Sequence, residues 1–159
     1  MFSVAILTIS DRSFKGERQD ASGPAIQECL APLGVRVLKY EIVPDERDMI
    51  VDRLTSWIDQ MGPDVVFTTG GTGLGPRDVT PEATLEVVDR VAPGFGEAMR
   101  WQSLQKTPTA LLSRATAGIR KGSLIINLPG SPRAVRESLE VILPALPHAV
   151  ETLRGEAKE

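Results

Sequence analysis

Short apolar runs alternate with segments of helical periodicity along this chain. The first run, Val4 to Ile9, is apolar at nearly every position and shows no alternation of apolar and polar residues. Strands covered on both faces have this pattern, because neither face meets water. Further strands are predicted over 35–43, 65–69 and 124–128. Strands that alternate with helices favour an α/β fold of three layers, with helices on both faces of a mostly parallel sheet.

The helical segments between these strands are bounded by residues that start and stop helices. The first helix is predicted from Ser22, a candidate N-cap, to Gly34, where glycine suits a left-handed cap. Another helix is predicted to follow Thr80, a candidate N-cap with proline directly after it. Residues 111–119 are predicted to be irregular or an edge segment. Further helices are predicted over 46–61, 95–105 and 133–143.

Length and composition fit a single domain spanning residues 1–159. The net charge of -3 provides no general attraction to nucleic acid or to an anionic membrane surface. An anionic ligand must therefore be bound locally, by main-chain amides or by a few placed cations. No apolar run approaches the roughly 20 residues that span a bilayer, and the expected location is the cytoplasm.

The chain has one cysteine, Cys29, and one histidine, His148. A single cysteine forms no disulfide within the chain and no thiolate metal site. A histidine-based metal site or a Ser-His-Asp triad would depend on His148 alone, so neither class of site is expected.

A glycine-rich turn follows the predicted strand at 65–69, with glycines at 70, 71, 73 and 75. Glycine allows several main-chain N–H groups to point into one concavity, which suits phosphate or pyrophosphate. The turn matches neither the P-loop pattern nor the spacing of dinucleotide-binding folds. A plain tight turn is the alternative interpretation.

Two aspartates lie at predicted strand ends, and ligands of parallel sheets bind at the carboxyl ends of the strands. Asp45 follows the second strand, and its alternative role is N-cap of the next helix. Asp78 lies close to the glycine-rich turn, where a carboxylate beside phosphate is unfavourable unless a cation separates them. This conflict suggests Mg²⁺ between Asp78 and phosphate oxygens. Alternatively, Arg77 neutralises Asp78 in a surface ion pair.

A second turn, from Asn127 to Pro132, also joins a strand to a helix, whose N-terminus favours an anion. Ser131 could cap this helix, face a ligand, or do both. Ser10 ends the first strand and is expected in the same crevice. Ser113 and Arg114 form a polar pair within apolar surroundings, which by itself indicates little.

Several of these segments together resemble one enzyme family, the MogA-type molybdopterin adenylyltransferases of the molybdenum-cofactor-binding superfamily. The segments are LTISDR, IVPDE, TTGGTGLGPRDVTPEAT, PGFGEAMR, LSRATAG and INLPGSP, and they extend over nearly the whole chain. The combination of TTGGTG, RDVTPEAT and NLPGSP is specific, whereas any one of them alone is not.

The resemblance implies a homotrimeric enzyme that adenylylates molybdopterin with ATP and Mg²⁺ and releases pyrophosphate. The family's two important carboxylates fall on Asp45 and Asp78, which would be catalytic and would bind Mg²⁺. The nucleotide phosphates would contact Ser10, Gly70, Gly71, Thr72 and Gly73. The side that binds molybdopterin would be lined by Ser103, Ser113, Pro129, Gly130 and Ser131. A separate protein is expected to insert molybdate later.

Two other functions stay open on sequence grounds. A non-catalytic protein of the MoaB type would bind or carry molybdopterin, although it would gain nothing from the two aspartates. A nucleotide pyrophosphatase that resembles the CinA-type domain would cleave nucleotides without any pterin.

Overall fold

The computed structural model describes residues 1–158 and contains a six-stranded mixed sheet. The strands are β1 (Ser3–Ile9), β2 (Arg36–Val43), β3 (Val65–Thr69), β4 (Arg90–Val91), β5 (Ala117–Arg120) and β6 (Ser123–Leu128). They are arranged in the order β2-β1-β3-β6-β5-β4. The strands β2, β1, β3 and β6 are parallel, whereas β5 and β4 are antiparallel to their neighbours.

Residues 1–158 contain seven α-helices, six of which cover the two faces of the sheet and confirm the predicted three-layer α/β fold. The seven helices are α1 (Asp11–Phe14), α2 (Ser22–Leu30), α3 (Arg47–Met61), α4 (Thr80–Val87), α5 (Gly94–Leu104), α6 (Pro132–Ile142) and α7 (Leu146–Leu153). Residues of α2, α5, α6 and α7 pack on one face, and residues of α3 and α4 pack on the other. No helix within residues 1–158 is long and apolar enough to cross a membrane.

The apolar strand β1 supplies both halves of the core. Val4 and Ile6 face one layer of helices, whereas Ala5, Leu7 and Ile9 face the other. Successive side chains of a strand point to opposite faces, so a strand between two layers of helices must be apolar throughout. All seven residues of β1 are buried, which explains the unbroken apolar run in the sequence.

The order of the strands creates the crevice in which a ligand can bind. The chain passes from β1 to β2 on one side, and then crosses to β3 on the other side of β1. The loops after β1 and β3 therefore lead away from one another, at the position where ligands bind in open parallel sheets. The carboxyl ends of β2 and β6 lie at the same edge because these strands run parallel to β1 and β3.

Two helix starts differ from the sequence prediction. Ser22 is the first residue of α2, and the carboxylate of Asp20 accepts hydrogen bonds from the N–H groups of Ser22 (3.1 Å) and Gly23 (3.4 Å). Thr80 is likewise the first residue of α4, and its hydroxyl donates to the carbonyl of Gly70 instead of capping the helix. A carboxylate two residues upstream therefore caps α2 in place of Ser22, whereas the Thr80 hydroxyl is used in a tertiary contact with the glycine-rich turn.

Three short elements were not resolved by the sequence pattern. The helix α1 forms within the polar segment after β1, and the two-residue strand β4 pairs with β5. The segment predicted to be irregular or an edge, 111–119, contains the end of a 3-10 turn (Pro108–Leu112) and the start of β5. Elements of two to five residues show too few periodic positions to be recognised.

Substitution of Phe67 tests how much the core beneath the crevice contributes to the stability of the fold. It is fully buried on β3, so Phe67→Ala is expected to lower the free energy of unfolding by about 3–5 kcal/mol. Leu85 on α4 is 47% exposed, and Leu85→Ala should cost about 0.5 kcal/mol or less. Urea denaturation measures both. Equal losses for the two variants would contradict the assignment of Phe67 to the core.

Candidate active site

The glycine-rich turn is tied to three neighbouring elements. Gly70 has φ +99°, and a Cβ atom on it would overlap the carbonyl oxygen of Ile9 at the end of β1. Its N–H donates to the carbonyl of Leu128 on β6 (3.2 Å), and its own carbonyl accepts from the Thr80 hydroxyl (2.9 Å). Glycine is required here by both the backbone angle and the space.

The three amides that follow Gly70 are unpaired among residues 1–158, and that of Gly71 belongs to a residue on the wall of the crevice. Among residues 1–158, no hydrogen bond has the N–H of Gly71, Thr72 or Gly73 as its donor. Gly71 has φ +69° and lines the crevice, whereas Thr72 is buried and neither Thr72 nor Gly73 forms part of the wall. Unpaired main-chain N–H groups in a glycine turn are suited to an anion.

Asp45 is bound to the end of β1 and does not cap α3. Its carboxylate accepts from the N–H of Asp11 (2.9 Å), and the N–H of Asp45 donates to the carboxylate of Asp11 (3.0 Å). Glu46 occupies the N-cap position of α3 without a side-chain capping bond. The alternative role of Asp45 as a helix cap is therefore wrong. A Cβ atom on Gly71 would lie 3.1 Å from its Oδ1, so Asp45 lies against the glycine turn.

The surroundings of Asp45 disfavour its negative charge. Burial raises the pKa of the Asp45 carboxyl above the usual 3.8, and the nearby carboxylates of Asp11 and Asp78 raise it further. Within residues 1–158, no lysine, arginine or histidine forms a salt bridge with Asp45 or Asp78. A cation brought by a ligand would relieve this excess of negative charge.

The Asp78 carboxylate is enclosed by its own loop. Its Oδ2 accepts a hydrogen bond from the N–H of Gly75 (2.9 Å). A Cβ atom on Gly73 or on Gly75 would lie 2.9 Å from this oxygen, which is too close for a side chain. These two glycines therefore allow the loop to fold around Asp78.

Arg77 pairs with other acids and leaves Asp78 without a counter-charge. Its guanidinium donates to both carboxylate oxygens of Asp11 (2.8 and 3.0 Å) and to Glu46 (2.8 Å). The hydrogen bonds from Arg77 lower the pKa of the Asp11 carboxyl. The proposed neutralisation of Asp78 by Arg77 is therefore wrong, and Arg77 instead links the glycine loop to the ends of β1 and β2.

One cleft of about 490 Å³, here called the acidic cleft, contains most of the predicted phosphate and metal residues. Arg18 and Asp20, which the sequence did not indicate, also line it. Ser10 lines it while its hydroxyl accepts from the N–H of Ser13 as the cap of α1. The predicted residues on its wall are Ser10, Asp45, Gly70, Gly71, Asp78, Gly130 and Ser131.

A second cavity of about 460 Å³, here called the basic cavity, adjoins the acidic cleft. Ser131 lines both, and its hydroxyl accepts from the N–H of Ala134 (3.2 Å), so it caps α6 while facing both spaces. Four of the five residues predicted on the molybdopterin side line this cavity, whereas Gly130 lines the acidic cleft. They are Ser103, Ser113, Pro129 and Ser131.

Three cationic side chains on the wall of the basic cavity were not among the predicted site residues. They are Arg100, Lys106 and Arg133. Arg100 belongs to the PGFGEAMR segment, but nothing in its spacing shows that α5 faces α6 across a cavity. Glu137 on the same wall pairs with Lys106 (3.5 Å) and Arg133 (3.2 Å), and the cations outnumber this single acid. The excess of positive charge favours an anionic ligand.

Metal-ligating side chains are sparse in this region. Within residues 1–158, no group of three or more His, Cys, Asp and Glu side chains is arranged to bind a metal ion. Mg²⁺ commonly takes only one or two carboxylates from the protein and completes its shell with substrate phosphates and water. Asp45 and Asp78 on one cleft wall therefore fit an ion that arrives with a nucleotide, and not a permanently bound one.

Comparison with known proteins identifies one family. The sequence profile of the family described as "Probable molybdopterin binding domain" matches residues 5–148. A Helicobacter pylori protein named molybdopterin adenylyltransferase is 51% identical over 96% of this chain and 88% of its own length. The Escherichia coli K12 protein of the same name is 42% identical over 96% of this chain and 85% of its own length.

A solved structure shows the same architecture. The structure of the molybdopterin biosynthesis enzyme MoaB from Thermus thermophilus superposes with a TM-score of 0.93. It is 54% identical, and the match covers 100% of both chains.

Alanine substitutions at two glycines distinguish the cost of backbone strain from the cost of steric overlap. Gly34 and Gly70 both have positive φ, but a Cβ atom on Gly34 would meet nothing within 4 Å. Gly34→Ala should lower the free energy of unfolding by about 1–2 kcal/mol through strain alone. Gly70→Ala should cost at least about 1 kcal/mol more, because the overlap with the Ile9 main chain adds to the strain. Equal costs in urea denaturation would show that the turn is not packed against β1.

Asp45→Asn should stabilise the protein at neutral pH. A carboxyl whose folded pKa is raised binds its proton more tightly in the folded state, so ionised Asp45 opposes folding. The gain should be present at pH 7 and disappear as the pH falls through the raised pKa towards 3.8. Thermal unfolding at several pH values measures it, with Asp52→Asn on the exposed face of α3 as the control. A lower melting temperature for Asp45→Asn at pH 7 would contradict the prediction.

Proposed function

The chain belongs to the family of molybdopterin-binding domains, and on that basis we propose that it is a molybdopterin adenylyltransferase. It transfers AMP from ATP to molybdopterin and releases pyrophosphate. The observation that carries this proposal is the placement of Asp45, Asp78 and the glycine turn in one cleft that shares Ser131 with a basic cavity. Two relatives that cover nearly all of this chain have the same name.

ATP occupies the acidic cleft in this proposal. The free amides of the glycine turn and the N-terminus of α6 bind its phosphates. Asp45 and Asp78 are the residues that would bind Mg²⁺, which would neutralise charge on the triphosphate. This assignment is supported by the raised pKa of Asp45 and by the fact that neither acid forms a salt bridge within residues 1–158.

Molybdopterin occupies the basic cavity, where Arg100, Lys106 and Arg133 can attract its phosphate. This arrangement brings two anions towards the common wall at Ser131. The phosphate oxygen of molybdopterin attacks the α-phosphorus of ATP, and the bond from that phosphorus to the oxygen of the β-phosphate breaks. The products are adenylylated molybdopterin, joined through a new phosphoanhydride bond, and pyrophosphate.

The reaction requires charge neutralisation and alignment more than a proton acceptor. A phosphate monoester is already largely ionised at pH 7, with a second pKa of about 6. The single histidine, His148, is exposed on α7 and lines neither the cleft nor the cavity. The contribution of the protein is therefore to position both phosphates and to stabilise the transferring group.

We also infer a cytoplasmic homotrimer that hands its product to a separate molybdate-inserting protein. Exposed apolar side chains support an association between copies of the chain, because soluble monomers rarely display many of them together. Trp101, Leu111 and Leu112 are 68%, 71% and 49% exposed, and they belong to α5 and to the 3-10 turn packed against it.

Loss of either aspartate is expected to abolish most of the activity. Asp45→Asn and Asp78→Asn should each lower the rate of adenylyl transfer by at least about 100-fold, because each removes charge that binds the cation–triphosphate unit. The assay combines ATP, Mg²⁺ and molybdopterin and measures the adenylylated pterin. Asp52→Asn on α3 serves as the matched control and should keep the full rate. Full rates in both cleft variants would make the assigned roles wrong.

The same assay separates the enzyme from a MoaB-type carrier and from a nucleotide pyrophosphatase. The proposal predicts one pyrophosphate for each adenylylated pterin, and none when molybdopterin is omitted. A carrier would bind molybdopterin and release no pyrophosphate. A CinA-like pyrophosphatase would release pyrophosphate or monophosphate from the nucleotide alone. The relative from Thermus is named MoaB but is also called an enzyme, so the name does not decide between these outcomes.

A further inference from the structure

We propose that Arg114 is a positioning residue that closes the loop 73–78 and thereby places the carboxylate of Asp78 in the acidic cleft. The inference rests on the proposed function for the role of Asp78, but the contacts that support it belong to the fold. Arg114 lines neither the cleft nor the basic cavity, so it acts through the loop and not by touching a substrate.

Arg114 binds both ends of this loop. Its main-chain N–H donates to the carbonyl of Thr72 (2.7 Å), and its Nε donates to the carbonyl of Gly73 (2.8 Å). Its Nη2 donates to the carbonyl of Asp78 (2.7 Å). One side chain therefore joins the residue that begins the loop to the aspartate that ends it, in the fixed geometry of a planar guanidinium.

The third guanidinium nitrogen of Arg114, Nη1, is paired with the carboxylate of Glu82. Its Nη1 donates to the carboxylate of Glu82 in the first turn of α4, and this bond lowers the pKa of Glu82. The other carboxylate oxygen of Glu82 is buried and has no partner among the described residues. Glu82 thus depends on Arg114 for its counter-charge, and the ion pair fixes the guanidinium relative to α4.

The loop has little packing of its own. Leu74, Gly75, Pro76 and Arg77 are exposed, and the tip is tied down through the ion pairs of Arg77 with Asp11 and Glu46. At the base, Thr80 donates to the carbonyls of Gly71 (N–H, 3.1 Å) and Gly70 (hydroxyl, 2.9 Å), and Arg114 supplies the bonds to the carbonyls of Gly73 and Asp78. The bonds between Gly75 and Asp78 lie within the loop, so opening the base would displace the Asp78 carboxylate relative to the cleft.

The neighbours of Arg114 explain how it comes to lie behind the site. Ser113 and Ala115 line the basic cavity, whereas Arg114 between them reaches the opposite way, towards the glycine loop. Arg100 on the cavity wall holds this segment by donating to the carbonyl of Ala115 (2.6 Å). The segment 113–115 is thus part of the partition between the two binding spaces.

The first test combines activity with a double-variant comparison. Arg114→Gln should lower the kcat of adenylyl transfer by about tenfold or more and leave the KM for molybdopterin within about twofold, because only the loop is displaced. The kcat of the double variant Arg114→Gln/Asp78→Asn should be within about twofold of that of Asp78→Asn alone, because both substitutions act through the same carboxylate. Multiplied effects would overturn the proposal.

Arg120→Gln is the matched control, because Arg120 also joins a carboxylate, that of Asp59, to a main-chain carbonyl, that of Val87. It lies at the opposite edge of the sheet, beside the start of β6. Its kcat should stay within about twofold of the unaltered protein even if its melting temperature falls. A comparable loss of kcat in Arg120→Gln would show that general destabilisation explains the effect.

The second test does not depend on activity. Amide hydrogen exchange over 73–78 should be several-fold faster in Arg114→Gln than in the unaltered protein, and unchanged in Arg120→Gln. Unchanged exchange in Arg114→Gln would overturn the proposal even if its rate falls. If the unaltered protein transfers no adenylyl group, the proposed function fails, and the exchange result still decides whether Arg114 closes the loop.

Discussion

Repulsion between acids at one edge of the sheet is the constraint on which this site depends. Asp11, Asp45 and Asp78 follow the ends of neighbouring strands, and burial, followed by the negative charges of Asp11 and Asp78, disfavours the ionised form of Asp45. Of these three acids, only Asp11 forms a salt bridge with Arg77. The remaining negative charge lies beside a turn with free amides, so a triphosphate and a divalent cation complement the cleft together better than either does alone.

The parallel order of the strands makes this concentration of charge possible. The apolar sides of the helices cover both faces of the sheet, and the residues of the cleft lie at one edge of it. Four parallel strands end at the edge where the loops after β1 and β3 lead away from one another. Residues 10, 45, 70 and 131 therefore surround a common cleft. The stability of the apolar core therefore offsets the destabilising effect of the acids in the cleft.

The sequence predicted the strands β1, β3 and β6 well because each is an apolar run bounded by polar, glycine or proline residues. It predicted the family's acids but not their contacts. Asp45 has the local pattern of a helix cap. Only the pairing of β1 with β2 shows that the N–H of Asp11 donates to its carboxylate instead. Local patterns describe bonds between near neighbours, whereas this site is built from bonds between residues far apart in the chain.

Arg114 shows the same limit for a single side chain. Its partners lie 32 to 41 residues earlier in the chain, and no periodic pattern relates them. Arg77 is adjacent to Asp78 in sequence, yet it pairs with acids of two other loops.

A crystal structure with Mg²⁺ and a non-hydrolysable ATP analogue would test the central claim most directly. The account predicts phosphate oxygens at the free amides of residues 71–73 and one ion bound by Asp45 and Asp78 at about 2.0–2.1 Å. A nucleotide whose phosphates lie in the basic cavity, with no ion at these two aspartates, would contradict it.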